Sequence, residues 1–212
     1  SGPIVYNEPI HIFQARSALA LMDALGIEKA SIVGNSQGGQ SALVFAYRYP
    51  DRINKLIWGG GHIGTGRNAG EYIFGIGRTA LGMEEGIRAS IRASQTPSGD
   101  NMRDYLLLHI FDENLITKDL IDYLISWHTG RPDLAEARSQ SMGYIPYDHL
   151  QYLPTITAPT LMIWGRYDRT CQFEIGINAL NHIPDSRLII INNCGHWTPF
   201  EKPMEYNAHV LN

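Results

Sequence analysis

The sequence of 212 residues is poor in cysteine, and its only two, Cys171 and Cys194, both lie late in the chain. Two thiols do not make a disulfide framework, so we expect a reducing, cytoplasmic location. The sequence also lacks a CxxC pair and any cluster of histidine and cysteine at metal-ligand spacing. We therefore predict that the protein uses neither a metal ion nor another cofactor.

Long apolar runs and an excess of charge are absent as well. No run of ~20 apolar residues could span a membrane, and the chain does not start with a signal-peptide pattern. The net charge of −4, with 18% charged residues, gives no electrostatic case for nucleic acid or an anionic membrane as partner. The hydrophobic fraction of 44% is typical of a globular protein. The length of 212 residues suits one domain with an insertion. With no case for nucleic acid or a membrane, we expect the partner to be a small-molecule substrate.

A glycine-rich hexapeptide dominates the first quarter of the chain: Gly34-Asn35-Ser36-Gln37-Gly38-Gly39. It follows a β-branched run that ends at Val33 and precedes a stretch of helical periodicity. A strand, then Gly-x-Ser-x-Gly, then a helix is the layout of a nucleophile elbow. We predict that Ser36 lies on a strained turn, where a Cβ on Gly34 or Gly38 would collide with backbone. A glycine-rich turn with an incidental serine is the alternative, but the flanking strand and helix favour the elbow.

Apolar β-runs occur in both halves of the chain but not in its middle. Residues 62–153 combine helical periodicity with glycine interruptions and contain no β-run. We therefore predict an α/β fold in which residues 1–61 and 154–212 form a parallel sheet with helices on both faces. Residues 62–153 are predicted to form an inserted helical cap. The predicted strands are 27–33, 55–58, 160–164 and 187–191. The predicted helices begin at Asn7, near Ser36 (with its periodic stretch from Ser41), and at Met83, Asn101, Thr117, Leu134, Phe173 and Pro203.

Three residues that together can activate a serine lie just beyond the ends of predicted strands. Ser36 follows the first strand, Asp168 the third and His196 the fourth. Because the carboxyl ends of parallel strands share one edge of the sheet, we expect these side chains to meet. A serine hydroxyl needs a histidine to take its proton and a carboxylate to fix the histidine tautomer. The sequence therefore predicts a catalytic triad in the order Ser, Asp, His.

Each triad candidate also has a simpler explanation. Asp168 could be a turn aspartate paired with Arg166 or Arg169, and His196 could be an ordinary loop histidine. Of the eight histidines, however, His196 alone follows a glycine in a loop just after a late strand. Four others are expected at the surface because they lie on or beside predicted helices: His11, His128, His182 and His209. Two more, His62 and His149, border the predicted cap, and we do not favour a binding role for them.

Five segments extend the triad pattern into a family resemblance. They are Gly34–Gly39, Tyr49–Ile57, Phe111–Thr117, Trp164–Arg169 and Cys194–Trp197. Together they resemble the meta-cleavage product hydrolases, carbon–carbon bond hydrolases of aromatic degradation within the α/β-hydrolase superfamily, over nearly the whole chain. The elbow and the strand before Asp168 are common to the superfamily. The asparagine before the serine, the Asp-x-x-Leu-Ile-Thr stretch and the Cys-Gly-His-Trp loop are more particular to the family.

The resemblance implies an α/β-hydrolase fold and cleavage of a vinylogous 1,5-diketone to a dienoic acid and a second carboxylic acid. In this reaction His196 helps to move a proton so that the dienol becomes a ketone, and Ser36 attacks the carbonyl or helps a water to do so. Asp168 holds His196, and the backbone amide of Gln37 gives one oxyanion donor. The resemblance also places Asn35 and Trp197 in the lining of the substrate pocket beneath the cap.

The sequence departs from the family pattern at the position that usually binds the substrate carboxylate. The family carries an arginine on the cap helix after the Leu-Ile-Thr stretch, and an ungapped count places Leu124 there. Arg131 or Arg138 could substitute, although nothing in the sequence shows that either does. The departure leaves more room for ester hydrolysis, which needs the same triad but no group that binds a carboxylate.

The beginning of the sequence is the second departure. The family has several strands before the helix that starts here near Asn7, and their loop gives the second oxyanion amide. The chain therefore resembles the carboxyl-terminal portion of such an enzyme, with its amino-terminal strands apparently absent. We expect an open sheet edge along Ser31–Val33. A second copy of the chain, as a homo-oligomer, an associated amino-terminal segment or a rearranged Ser1–Asn7 segment would have to cover this edge.

Two other functions remain open from the sequence. A carboxylesterase could use the same triad, and a hydrolase fold that is non-catalytic or inactivated by truncation could serve for binding. The intact triad argues mildly against the second. Haloalkane dehalogenases and epoxide hydrolases are not favoured because both use a carboxylate nucleophile where Ser36 stands.

Overall fold

The structure is a computed structural model, and it describes residues 8–64, 83–130 and 147–211. Helices and strands alternate at both ends of this part of the chain, and three helices lie between its second and third strands. In chain order the elements are α1 (Ile10–Ala24), β1 (Ala30–Asn35), α2 (Gln37–Arg48), β2 (Ile53–Gly59), α3 (Met83–Gln95), α4 (Gly99–His109), α5 (Lys118–Thr129), β3 (Thr160–Gly165), α6 (Glu174–Leu180), β4 (Ser186–Ile191), α7 (Thr198–Glu201) and α8 (Pro203–Leu211). Short 3₁₀ helices cover Pro50–Arg52, Glu113–Leu115 and Leu150–Thr155.

The four strands form one parallel sheet in the order β1-β2-β3-β4. Val33 lies opposite Ile57 in the first pair, and Leu161 lies between Ile57 and Arg187 in the next two pairs. Parallel strands need crossover connections, which α2 supplies between β1 and β2 and α6 supplies between β3 and β4. The carboxyl ends of all four strands therefore lie at one edge of the sheet. The structure confirms the predicted α/β fold, and each predicted strand overlaps an observed one.

Strand β1 lies at the margin of the sheet. Within the described residues it pairs only with β2, and the Val33 side chain is 54% exposed. Strands β2 and β3 are buried along most of their length. An uncovered strand edge tends to pair with another strand. Residues 1–7 lie outside the described part of the chain, so what covers this edge stays a prediction.

Two tryptophans fix the centre of the sheet. Trp58 of β2 and Trp164 of β3 are fully buried, and their rings meet edge to face with centroids 5.0 Å apart. Leu43 and Phe45 of α2 pack into the same core. Buried aromatic pairs contribute large apolar areas and a preferred geometry. The ends of β2 and β3 are consequently held in place where the candidate site lies.

Helices α3, α4 and α5 pack around a small apolar core of their own. Its buried members are Ala93, Met102, Leu106, Ile110 and Ile116. The predicted helix start at Thr117 is confirmed: Thr117 caps α5, and its hydroxyl oxygen accepts a hydrogen bond from the backbone N–H of Leu120 at 3.2 Å. The described residues between β2 and β3 include no strand, in keeping with a helical cap. The predicted helix at Leu134–Met142 lies outside the described residues.

Several element boundaries differ from those predicted. Helix α1 begins at Ile10 with Pro9 at its N-cap, later than the predicted start at Asn7. A short helix, α7, occupies Thr198–Glu201, where the sequence predicts no helix. Gly26 adopts a φ of 66° just after α1, the left-handed conformation that glycine commonly supplies at a helix end. None of the described helices has both the length and the apolar character needed to cross a bilayer.

Candidate active site

Ser36 lies on a strained turn between β1 and α2. Its φ is 57° and its ψ is −126°, a backbone conformation that non-glycine residues rarely adopt. Its backbone N–H donates to the carbonyl oxygen of Gly59 at 2.9 Å, so the turn is bonded to the end of β2. This geometry is that of the predicted nucleophile elbow.

The glycines around Ser36 confirm one part of the steric prediction and correct another. A Cβ on Gly34 would lie 2.3 Å from the carbonyl oxygen of Gly38, so only glycine fits there. The same prediction for Gly38 is wrong, because a Cβ there would meet nothing within 4 Å. The crowded neighbour is Gly39, whose Cβ would lie 2.6 Å from the ring of Trp58. The motif therefore needs its third glycine because α2 packs tightly against β2.

Asp168 and His196 are in direct contact, although 28 residues separate them. His196 Nδ1 lies 2.7 Å from Asp168 Oδ2, and both side chains are buried. The other carboxylate oxygen, Oδ1, accepts from the backbone N–H groups of Thr170 and Cys171 at 2.8 Å each and from the Thr170 hydroxyl at 2.9 Å. These bonds fix the carboxylate, so His196 Nδ1–H can donate to it while Nε2 stays available as a base.

The glycine segment after β2 lies against both Ser36 and His196. Gly60 has a φ of 57°, and a Cβ on it would lie 3.0 Å from His196 Cε1 and 3.0 Å from Asn35 Oδ1. Its neighbour Gly59 accepts the Ser36 N–H bond described above. The elbow, the asparagine before the serine and the histidine ring thus meet where β2 ends. The predicted Asp168 and His196 pair is confirmed as a contact, and its catalytic role with Ser36 stays a prediction.

Asn35 and Trp197, predicted to line the pocket, lie on either side of the histidine loop. Asn35 Nδ2 donates to the carbonyl oxygen of His196 at 3.3 Å, so this side chain helps to hold the loop. The half-buried Trp197 ring packs with the apolar core of α3–α5. Gln37 is the first residue of α2, where backbone N–H groups lack helical partners. Its role as an oxyanion donor stays a prediction.

The end of helix α4 is fastened to the two turns that carry the Asp168 and His196 side chains. The carbonyl oxygen of His109 accepts from the backbone N–H groups of His196 at 2.7 Å and of Trp197 at 3.3 Å. Arg169 Nη1 donates to the carbonyl oxygen of Leu107 at 2.5 Å. These bonds satisfy carbonyls that a helix C-terminus otherwise leaves unpaired. The predicted cap and the predicted triad are therefore joined by main-chain hydrogen bonds.

The buried carboxylate of Glu201 in α7 completes this connection. Its Oε1 accepts from the Gly195 N–H at 2.8 Å, and its Oε2 accepts from the Phe111 N–H at 2.8 Å and the Asp112 N–H at 3.4 Å. Burial raises the pKa of this carboxyl, while the three N–H groups act in the opposite direction. Glu201 thus bridges the loop before His196 and the chain that leaves α4.

We expect Glu201→Gln to lower the free energy of unfolding by about 1–3 kcal/mol, because its amide NH₂ would face one of these N–H groups and leave it unpaired. We also expect a lower kcat, since the displaced loop carries His196. Urea denaturation and steady-state kinetics measure the two effects. Glu205→Gln, an exposed carboxyl of α8, is the matched control. Equal stability and kcat for Glu201→Gln and the unaltered chain would contradict the bridging role.

Sequence reasoning missed two residues of this region, Glu201 and His109. Nothing in the sequence around Glu201 marks it as buried, and it lies in a short helix that the sequence does not predict. His109 ends α4, and its ring packs 5.3 Å from the His196 ring between centroids. The histidine prediction was also wrong for His11, which is buried in α1 rather than exposed.

Comparisons with known proteins agree with this geometry. A family model described as alpha/beta hydrolase fold matches residues 6–78. A 2-hydroxy-6-oxononadienedioate/2-hydroxy-6-oxononatrienedioate hydrolase of Pseudomonas sp is 34% identical over 204 residues, which are 93% of this chain and 67% of that protein. The chain belongs to the meta-cleavage product hydrolases. It is therefore an enzyme chain of the α/β-hydrolase superfamily, in a family that hydrolyses carbon–carbon bonds.

Two further members of the family match along the whole chain. A 2-hydroxy-6-oxo-6-phenylhexa-2,4-dienoate hydrolase of Comamonas testosteroni is 33% identical over 215 residues, covering 100% of this chain and 71% of that protein. The solved structure of a meta-cleavage product hydrolase from Pseudomonas fluorescens IP01 superposes with a TM-score of 0.78 and 27% identity, covering 100% and 73%. This meta-cleavage product hydrolase chain is thus similar to relatives named for a dioate substrate and for a phenyl substrate at nearly equal identity.

Proposed function

We propose that this chain hydrolyses the carbon–carbon bond of a 2-hydroxy-6-oxo-dienoate, a vinylogous 1,5-diketone, with Ser36, His196 and Asp168 as its triad. The observation that carries the proposal is the 2.7 Å contact between His196 Nδ1 and Asp168 Oδ2 beside the serine elbow. Family membership supports the carbon–carbon bond as the target. The helices between β2 and β3 are proposed as the cap over the pocket, since α4 is bonded to the histidine loop.

The reaction would proceed in two stages. First, His196 would help to move the proton of the 2-hydroxyl to the carbon next to the 6-oxo group, which converts the dienol to a ketone. Ser36 would then attack the 6-oxo carbon, or help a water to do so, while His196 takes the hydroxyl proton. The negative oxygen would be stabilised by the Gln37 amide. The bond between C5 and C6 breaks, and with one water consumed the products are a dienoic acid and a second carboxylic acid.

Parallel assays test the proposal against the two alternative functions. The 212-residue chain is incubated with 2-hydroxy-6-oxo-6-phenylhexa-2,4-dienoate and with p-nitrophenyl butyrate, and release of benzoate and p-nitrophenol is followed. We expect cleavage of the dienoate. Turnover of the ester alone would favour a carboxylesterase. Turnover of neither substrate, together with no labelling of Ser36 by a fluorophosphonate, would favour a non-catalytic protein.

No described residue at the position of the family's arginine carries a charge that could bind the substrate carboxylate. Leu124 of α5 is partly buried and packs with the apolar core of α3–α5, as does Trp197. A leucine cannot form the charge-assisted bidentate contact that an arginine gives a carboxylate. Arg131 and Arg138 lie outside the described residues. We therefore propose weak selection for a carboxylate on the substrate.

We expect Leu124→Arg to raise the ratio of dienoate to neutral-ester kcat/KM by about tenfold. A desolvated charge pair contributes a few kcal/mol, and part of this free energy is offset by the cost of moving the guanidinium from water into the site. The ratio is measured with the two substrates named above. Tyr123→Arg is the matched control, since this neighbouring side chain is 64% exposed and places the same charge in solvent. An unchanged ratio in Leu124→Arg would show that the carboxylate is bound elsewhere.

A further inference from the structure

A second histidine lies beside His196 in the candidate site. The half-buried ring of His109 has its centroid 5.3 Å from the His196 ring, 5.5 Å from the Trp197 ring and 4.4 Å from the Tyr105 ring. The reaction proposed above leaves it without a role. Because a substrate carbon attacked at Ser36 must lie near His196, the groups of the substrate farther along the chain come within reach of this second ring.

Its hydrogen bonding determines which ring nitrogen is available. His109 Nδ1 lies 2.8 Å from the carbonyl oxygen of Tyr105, one turn earlier in α4. A carbonyl only accepts, so Nδ1 carries the proton, and in the neutral ring Nε2 is then an acceptor. No other described residue forms a hydrogen bond with the His109 ring. As far as the described residues go, the Nε2 lone pair of this imidazole is thus available to a ligand.

The electrostatic surroundings keep this imidazole uncharged. Burial lowers the pKa of His109 to about 4, and the neighbouring His196 acts in the same direction, while the bond to Tyr105 and the Asp168 charge oppose it. At neutral pH the ring therefore offers no positive charge. It suits a hydrogen-bond donor on the ligand better than an anionic group.

The position of His109 is set by the main chain. Its carbonyl oxygen accepts the N–H groups of His196 and Trp197, as described above. The residues that follow it, Phe111 and Asp112, donate to the buried carboxylate of Glu201. The ring is therefore tied to the histidine loop and does not depend on a mobile surface segment. Fixed placement of this kind is what a selective contact requires.

We propose that His109 is a specificity-determining residue whose Nε2 accepts a hydrogen bond from a hydroxyl group of the substrate. The inference rests on the proposed function, in which the substrate carries a 2-hydroxyl conjugated to its ketone. It adds to that function a residue that distinguishes hydroxylated ligands from ligands without the hydroxyl. The family pattern has an arginine at the position of Leu124, which would bind the substrate carboxylate by its charge. This chain would instead recognise the enol end of the substrate by the neutral acceptor on His109.

The test compares two ligands that differ only in this hydroxyl. Dissociation constants are measured by absorbance titration for 2-hydroxy-6-oxo-6-phenylhexa-2,4-dienoate and for 6-oxo-6-phenylhexa-2,4-dienoate, in a Ser36→Ala background that prevents turnover. Without substitution at His109 we expect the hydroxylated ligand to bind about tenfold more tightly. In His109→Phe the ratio should fall to about one, because the ring remains but the acceptor is lost. His109→Gln, with an amide oxygen as acceptor, should retain part of the ratio.

His182→Phe is the matched control. His182 is also half-buried near a helix end, and its Nδ1 lies 2.8 Å from the carbonyl oxygen of Asn178 one turn earlier, but it lies at the end of α6. It should keep the full ratio. Equal ratios with and without His109→Phe would overturn the inference, and so would a loss of affinity that is the same for both ligands, which would indicate a contact with their shared carboxylate. Failure of the proposed function would show separately, as no cleavage of the hydroxylated ligand by the unaltered chain.

Discussion

Replacing Ser36 by alanine is expected to lower kcat for dienoate and ester alike, by a factor on the order of 10⁴–10⁶. The serine oxygen would be the nucleophile, or the group that orients the attacking water, and no other residue of the Gly34–Gly39 segment carries a hydroxyl that His196 could deprotonate. The serine and histidine of such a triad act as a unit, so losing either costs nearly as much as losing both. Steady-state assays with both substrates measure the loss.

Ser17→Ala serves as the control for this substitution. Ser17 lies on the exposed face of α1, and its hydroxyl donates only to the carbonyl oxygen of Phe13 within the same helix. Its removal should leave kcat unchanged. Circular dichroism should show the same fold for both variants. If a folded Ser36→Ala chain retained more than about one hundredth of the activity, the assignment of Ser36 as the nucleophile would be contradicted.

Acidification from pH 6.5 to 4.5 is expected to lower the free energy of unfolding by about 3–5 kcal/mol. Burial lowers the pKa of His11 to about 4 and that of His149 to about 3. The two rings lie 5.7 Å apart between centroids. His11 further lowers the pKa of His149, and His62 lowers the pKa of both. The pKa of each is thus lower in the folded than in the unfolded chain. Between the pKa of an unfolded histidine, about 6.5, and the lowered pKa in the folded chain, the unfolded chain binds protons that the folded chain does not. Stability is therefore lost as pH falls through this range.

Two other groups contribute to the pH dependence. The lowered pKa of His109 adds to the loss, whereas the raised pKa of Glu201 opposes it, because the folded chain then binds that proton more readily. His149→Gln tests the dominant contribution, since glutamine cannot take up a proton but can still bond to the Tyr47 hydroxyl, which lies 3.4 Å from His149 Nδ1. Urea denaturation at pH 7 and pH 4.5 should show a smaller difference for this variant.

His209→Gln is the control for the acid effect. His209 is half-buried in α8, outside the cluster of His11 and His149, and its substitution should leave the pH dependence of stability as it is. A chain that is equally stable at pH 7 and pH 4.5 would show that the histidine cluster takes up protons without unfolding.

The elements that sequence predicted well are those whose signals are local. The elbow around Ser36 combines a strand, two glycines and a helix within a short segment, and its strained φ follows from them. The contact between Asp168 and His196 could be predicted because each residue follows a strand of a parallel sheet. The carboxyl ends of such strands share one edge of the sheet, so residues far apart in sequence meet there. The start of helix α5 could be predicted from Thr117 as its cap, with Asp119 in the first turn.

The residues that sequence did not predict act through contacts between distant segments. Glu201 is buried because three N–H groups from two loops converge on it, and no local pattern encodes that convergence. The buried His11 likewise packs against His149, which lies far along the chain. Gly38 illustrates the opposite error, since the motif suggested a steric need that belongs to Gly39, against Trp58. Helix and strand propensities and the spacing of apolar residues predict a single helix or strand. The burial of Glu201 and His11 and the crowding at Gly39 depend instead on the segments that pack against them.

The bonding of α4 to the triad turns has a consequence for recombination among relatives. An exchange of the helices between β2 and β3 alone would leave Arg169 and Glu201 behind. The groups that these two side chains bind are the main-chain carbonyl of Leu107 and the main-chain N–H groups of Phe111 and Asp112, which any incoming sequence provides. The contact therefore depends on the path of the backbone and not on the identity of the residues. Helices from a relative should keep it where their main chain follows the same path over residues 107–112, whereas an insertion or deletion there should displace the histidine loop.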